Sequence, residues 1–214
     1  MKTVLFDLDG TLLDTLEDLT DSVNYTFEKM GLGKREKYQV RKALGNGVER
    51  LLSELLGEEN LSLLPTALSI FRPYYKAHSA VKTAPFPGVC EVIEKLQKQG
   101  VLCGIVSNKP NEAVEELKKE FFPFVSLAIG EKKGIPRKPD PAPLYAALDE
   151  MGGEKENCLY IGDSEVDILT AKNAGFPCIA MTWGFRDREE LILAGAENLA
   201  DNADELYEKI MELL

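Results

Sequence analysis

Apolar positions along the chain change their period after the first few residues and again beyond residue 82. Thr3-Val4-Leu5-Phe6 is a short apolar run of the kind a strand covered on both faces requires. Leu16, Leu19, Val23, Phe27 and Met30 then recur at helical spacing, which predicts an amphipathic helix stopped by Gly31. Val40 to Leu44, Val48 to Leu56 and Leu63 to Tyr75 read as further helical pieces, with no strand pattern among them. Pro85-Phe86-Pro87-Gly88 marks a turn, and from there short apolar runs alternate with helical periods. Predicted strands are Val101 to Val106, Ser126 to Ile129, Cys158 to Ile161 and, as the last, Pro177 to Met181. Helices are expected over Val89 to Gly100, from Asn111, over Leu144 to Met151, up to Gly175, and from Asp204 to the end.

This alternation predicts an α/β fold, a doubly wound, mainly parallel sheet with helices on both faces. The helical stretch 15–82 is then an insert after the first strand, and residues 1–14 and 83–214 form the core. In such sheets ligands bind beyond the carboxyl ends of the strands, where strand order reverses. Polar clusters follow several of the predicted strand ends, and composition narrows what they do. A formal net charge of -11 argues against nucleic acid or an anionic membrane as partner. An anionic substrate would need a local positive site. The single His78 excludes His-rich metal centres, and Cys90, Cys103, Cys158 and Cys178 form no CxxC, which predicts buried thiols in a reducing compartment. With no evident leader and no apolar run long enough to span a bilayer, a cytoplasmic protein is expected.

Four clusters carry candidate chemistry. Asp7 and Asp9 lie two apart at the end of the first strand, so both face one side, and their repulsion is relieved by a bound cation. One acid could attack an electrophile while the other handles protons; a strand end with a capped acidic loop is the bland alternative. Ser107-Asn108 closes the second strand, where a hydroxyl, a free N–H and the next helix dipole suit a phosphoryl oxygen or merely a helix cap. In Arg137-Lys138-Pro139-Asp140-Pro141, Asp140 and Pro141 suit a helix start, leaving Lys138 as a positive charge for the acidic pair or a solvated lysine. Asp163 and Asp167 stand one helical turn apart after the strand Cys158 to Ile161, as hard-metal ligands or as dipole-favoured helix acids.

Taken together, DLDGTLLDT, IVSNKP, KPDP and GDSEVD, in this order, resemble the haloacid dehalogenase-like hydrolases. Pro87-Gly88-Val89, Asn173-Ala174-Gly175 and Thr182-Trp183-Gly184-Phe185 resemble the phosphoglycolate phosphatase-like branch. The resemblance implies a Rossmann-like core with a mobile helical cap at 15–82. It implies Asp7 as nucleophile forming an aspartyl-phosphate, and Asp9 as acid and base. Mg²⁺ would be held by Asp7, Asp9 and Asp163 with Asp167 in support, while Ser107, Asn108 and Lys138 hold the transferring group. Thr11 is counted with the substrate contacts.

The expected substrate is a small phosphorylated metabolite such as 2-phosphoglycolate, read by the loop Gly45-Asn46-Gly47-Val48-Glu49-Arg50. There Gly47 permits close approach and Arg50 could pair with an anion, or could simply be a surface Arg at a helix start. Lys109 is expected to add positive charge at the pocket mouth. A phosphomutase of the β-phosphoglucomutase type would share every core motif. A phosphoryl-accepting signalling domain places its acceptor after a later strand and lacks the helical insert. Monomer and dimer both fit the sequence.

Overall fold

The computed structural model describes residues 1–214, which divide into two compact units, Met1–Leu13 with Pro85–Leu214, and Asp14–Ala84. In chain order the first unit begins with β1 (Thr3–Phe6) and the chain leaves it through β2 (Leu13–Asp14). The second unit holds α1 (Leu16–Lys29), α2 (Lys37–Lys42), α3 (Gly47–Leu56), a 3-10 turn and α4 (Leu64–His78). The chain returns through β3 (Ala84–Pro85) to α5 (Val89–Lys98), β4 (Leu102–Pro110), α6 (Asn111–Phe121) and β5 (Leu127–Glu131). Then follow α7 (Ala142–Met151), β6 (Cys158–Gly162), α8 (Glu165–Ala174), β7 (Cys178–Met181), α9 (Arg188–Leu193), β8 (Asn198–Ala200) and α10 (Ala203–Leu213).

The six-stranded sheet has the order β5-β4-β1-β6-β7-β8, with every neighbouring pair parallel. The chain builds outward from β1 on one side and then returns to build outward on the other, so strand order reverses about β1. Side-chain parity sorts the core into two layers. Val4, Phe6, Ile105, Leu159 and Ile161 face α5, α6 and α10 through Ile93, Leu117 and Ile210. Leu5 and Tyr160 face the opposite layer with Leu144, Leu148 and Ala171 from α7 and α8.

Two expectations need correction. The strand at Cys178–Met181 is not the last, because β8 follows it. Its three residues, Asn198-Leu199-Ala200, are too few to print a period, and only pairing with β7 defines them as a strand. Ser107–Lys109 also lie within β4 rather than after it, and the pairing with β5 shifts register between Val106 and Pro110. The irregularity takes the backbone of these three residues out of the even ladder at the strand end.

Within the helical unit, α1 buries Leu16, Leu19, Val23 and Phe27, and α4 buries Ala67, Phe71 and Tyr75. Tyr25 stacks on Tyr74 at 3.8 Å, and Tyr74 on His78 at 4.0 Å between ring centres. Asp18, buried on the first turn of α1, accepts hydrogen bonds from the amides of Val81, Lys82 and Thr83 and from the Thr83 hydroxyl. Those four donors tie the last residues of the unit to its first helix.

Candidate active site

Register brings the polar clusters together. Phe6 pairs with Ile105 on one side and Ile161 on the other, so the residues that follow these three emerge at one end of the sheet. Asp7 continues the ladder, its amide donating to the Ile161 carbonyl at 2.8 Å. Its carboxylate is buried and accepts from Lys138 Nζ at 2.7 Å. The same ammonium donates to Asp167 Oδ1 and to the Tyr160 hydroxyl oxygen, each at 2.8 Å. Lys138 is therefore no solvated lysine: its side chain is 3% exposed and all three protons meet oxygen.

Backbone contacts hold Lys138 there. The Asn108 side chain donates to the Lys138 carbonyl at 3.0 Å and accepts from its amide at 2.9 Å, pairing like a second peptide group. The Lys138–Pro139 peptide is cis. Asp140 accepts from the Ala142 amide and Pro141 takes the cap position of α7, one residue later than the sequence implies. Ser107 Oγ accepts from the Lys109 amide at 3.2 Å, across the irregular end of β4.

Asp167 has both oxygens committed. Oδ1 takes Lys138 and Tyr160, and Oδ2 takes the amides of Asp163 and Ser164 and the Ser164 hydroxyl. Ser164 and Asp167 also form a reciprocal capping box at the start of α8, so the structural reading of this acid and its site role coexist. Asp163 is buried, accepting from the Thr11 hydroxyl at 3.1 Å and the Phe185 amide at 2.6 Å. Gly10, at φ +87°, lets the loop after β1 pass against it: a Cβ there would stand 2.3 Å from Asp163 Oδ2.

Burial and mutual repulsion dominate the electrostatics. Burial pushes the Asp7 carboxyl up to about 7, with Lys138 opposing and Asp167 adding to the rise. Burial, aided by the charges of Asp167 and Asp7, raises Asp163 well above the usual carboxylate range. At Asp167 burial is outweighed by Lys138 and the hydrogen bonds it accepts, and its pKa falls. At Lys138 burial is outweighed by the two carboxylates, so the ammonium holds its proton more tightly than usual. One ligand oxygen from each of Asp7, Asp163 and Asp167 lies within 4.8 Å of the others.

Asp9 is the more exposed partner of the first motif and receives Lys109 Nζ at 2.7 Å. Lys109 was expected at a pocket mouth, but its side chain is 4% exposed and lies against Asp9. Lys109 lies in the irregular end of β4, and the sequence shows no partner for it. Thr11, expected to touch substrate, is buried and gives its hydroxyl to Asp163. Gly47 and Arg50 belong to the helical unit, where Gly47 opens α3 at φ +82° and Arg50 pairs with Glu54 at 2.6 Å. Sequence reasoning missed Tyr160. A tyrosine in a run covered on both faces has to find a partner for its hydroxyl, and that was the available signal.

A family model for haloacid dehalogenase-like hydrolases matches residues 4–181. The chain belongs to that family. Among its relatives, the phosphoglycolate phosphatase of Photorhabdus laumondii is 31% identical over 98% of this chain and 92% of its own length. That of Xanthomonas campestris is 33% identical over 99% and 94%. A crystal structure from Lactobacillus delbrueckii subsp. bulgaricus superposes with a TM-score of 0.91 at 38% identity, covering 98% of this chain and 99% of that one. A haloacid dehalogenase-like family hydrolase from Streptococcus pneumoniae gives a TM-score of 0.87 at 25% identity, covering 98% of each chain. No helix of this hydrolase is long and apolar enough to cross a membrane.

Proposed function

We propose that this phosphoric monoester hydrolase acts on a small phosphoester of the 2-phosphoglycolate kind, with Mg²⁺ and through an aspartyl-phosphate on Asp7. The observation that carries this reading is the buried ammonium of Lys138 bridging Asp7 and Asp167 at 2.7 and 2.8 Å. It orients the Asp7 carboxylate and lends positive charge where a phosphoryl group would arrive. Asp7 attacks phosphorus, forming one P–O bond as the bond to the leaving oxygen breaks. Asp9, more exposed and anchored by Lys109, gives its proton to that oxygen. It then takes a proton from the water that attacks phosphorus, releasing phosphate and restoring Asp7.

The acids fit a hard divalent cation. Asp7, Asp163 and Asp167 each bring a ligand oxygen within 4.8 Å of the others in a buried cluster, and the mutual repulsion of these acids favours a bound cation. The donor set is all oxygen, which suits Mg²⁺. Asp7, Asp163 and the Asp9 backbone would hold it, while Asp167, which already accepts five hydrogen bonds, supports Lys138 and the turn at Ser164. When bound, the cation supplies positive charge to the phosphoryl oxygens. The helical unit is the proposed cap, with Gly47 and Arg50 reading the leaving group.

Phosphate release from a panel of small phosphoesters, with Mg²⁺ and with chelator, tests the proposal. The expected result is metal-dependent turnover that favours a carboxylated substrate, is abolished by Asp7→Asn, and shifts its substrate profile in Arg50→Ala. Substantial turnover by Asp7→Asn would refute the nucleophile. Isomerisation of a sugar phosphate without phosphate release would show a mutase instead.

A further inference from the structure

The segment Trp183–Arg186, between β7 and α9, meets both the site and the start of α8. The Trp183 indole N–H donates to the Thr11 carbonyl at 3.1 Å, and Thr11 in turn gives its hydroxyl to Asp163 Oδ1. The Phe185 amide donates to Asp163 Oδ2 at 2.6 Å. Gly184 is packed against the same side chain: a Cβ there would lie 2.3 Å from Asp163 Cβ and 2.4 Å from Oδ2. Arg186, buried, closes a two-pronged pair on Glu165, Nε to Oε2 at 2.7 Å and Nη2 to Oε1 at 2.9 Å, at the first position of α8. Phe185 is buried as well. The loop thus grips the loop after β1, the Asp163 carboxylate and the start of α8 at once.

We propose that Trp183–Arg186 is a positioning bracket that fixes the Asp163 carboxylate for divalent-cation binding. This rests on the metal reading given above. An acid alone in a cluster of like charges turns toward whichever donor is nearest. Here two donors from different loops occupy its two oxygens, and Gly184 and Gly10, having no Cβ, leave the space that the Asp163 side chain fills. Partners that orient a metal-binding carboxylate typically change metal affinity by about 10–100-fold when lost. Gly184→Ala inserts a methyl where Asp163 stands. Trp183→Phe keeps the ring packing but removes the indole donor that ties the bracket to Thr11.

Calorimetric titration of Mg²⁺ into metal-free wild type, Gly184→Ala and Trp183→Phe separates the outcomes. Wild type is expected to bind, Gly184→Ala to bind about 10–100-fold more weakly, and Trp183→Phe more weakly by over about twofold with unchanged metal-free melting. Should Gly184→Ala fail to fold, Trp183→Phe decides. Variants that fold and bind within about twofold of a binding wild type would overturn the bracket. A wild type that binds no Mg²⁺ would overturn the metal reading itself and the bracket with it.

Discussion

Replacing Lys138 by Met separates what the lysine does for the fold from what it does for chemistry. The side chain keeps its length but loses the ammonium, which sits 2.7 Å from Asp7 and 2.8 Å from both Asp167 and Tyr160. The gross attraction between unit charges this close is on the order of 4 kcal/mol or more at a near-surface effective dielectric. The measurable quantity is smaller, because the lysine is also relieved of its own desolvation. Breaking a buried pair by removing one partner typically destabilises by about 3–5 kcal/mol, since the remaining acids are left without a counter-charge. Urea unfolding with chelator present should show that loss. Adding Asp167→Asn removes one stranded charge, so the double variant should be more stable than the sum of the single losses by about 1–3 kcal/mol. Turnover should fall by about 10²–10³-fold and stay low in the double variant, because the charge facing the phosphoryl group has not returned. A stability loss under about 1 kcal/mol, or strict additivity of the two substitutions, would refute the buried network as the structural role of Lys138.

The helical unit makes its own prediction. Asp18→Ala removes the acceptor of three backbone amides and the Thr83 hydroxyl, for a loss of about 3 kcal/mol, and hydrogen exchange should accelerate at Val81, Lys82 and Thr83. Retained protection at those amides would show that the anchor is dispensable. The buried thiols predict an alkaline effect: burial pushes Cys103 and Cys158 up to about 12, whereas the unfolded chain ionises near its ordinary 9.0. Between those values the folded chain holds protons that the unfolded chain releases, so stability falls as pH rises, by about 1.4 kcal/mol per pH unit for each thiol. Denaturant midpoints measured above pH 9 should decline less steeply in the Cys103→Ala/Cys158→Ala variant; parallel slopes would contradict the assignment.

Much of this hydrolase was legible before its structure. Unbroken runs such as Thr3–Phe6 and Cys158–Ile161 announce strands covered on both faces, because only a doubly layered sheet buries both sides of a strand. The order of the polar clusters at their ends pointed to the family. Chain order alone placed Asp7, Lys138 and Asp163 in a common list, since each follows or precedes an element of recognisable period. What the sequence by itself determined is therefore the fold class, the acids and the lysine.

Tertiary structure decided who meets whom. The pairing of β1 with both β4 and β6 brings Asp7 to Asp163, residues separated by most of the chain, and no local pattern encodes that register. It decided that Lys109 turns to Asp9, that Thr11 serves Asp163, and that Asn108 clamps the Lys138 peptide. It recruited Tyr160, whose hydroxyl reaches Lys138 from within the core layer, and defined β8 by pairing alone. Sequence periodicity reports which residues avoid water, because hydrophobic burial is local and non-directional. Partnership among polar groups depends on distances of about 3 Å, and those exist only once the chain has closed upon itself.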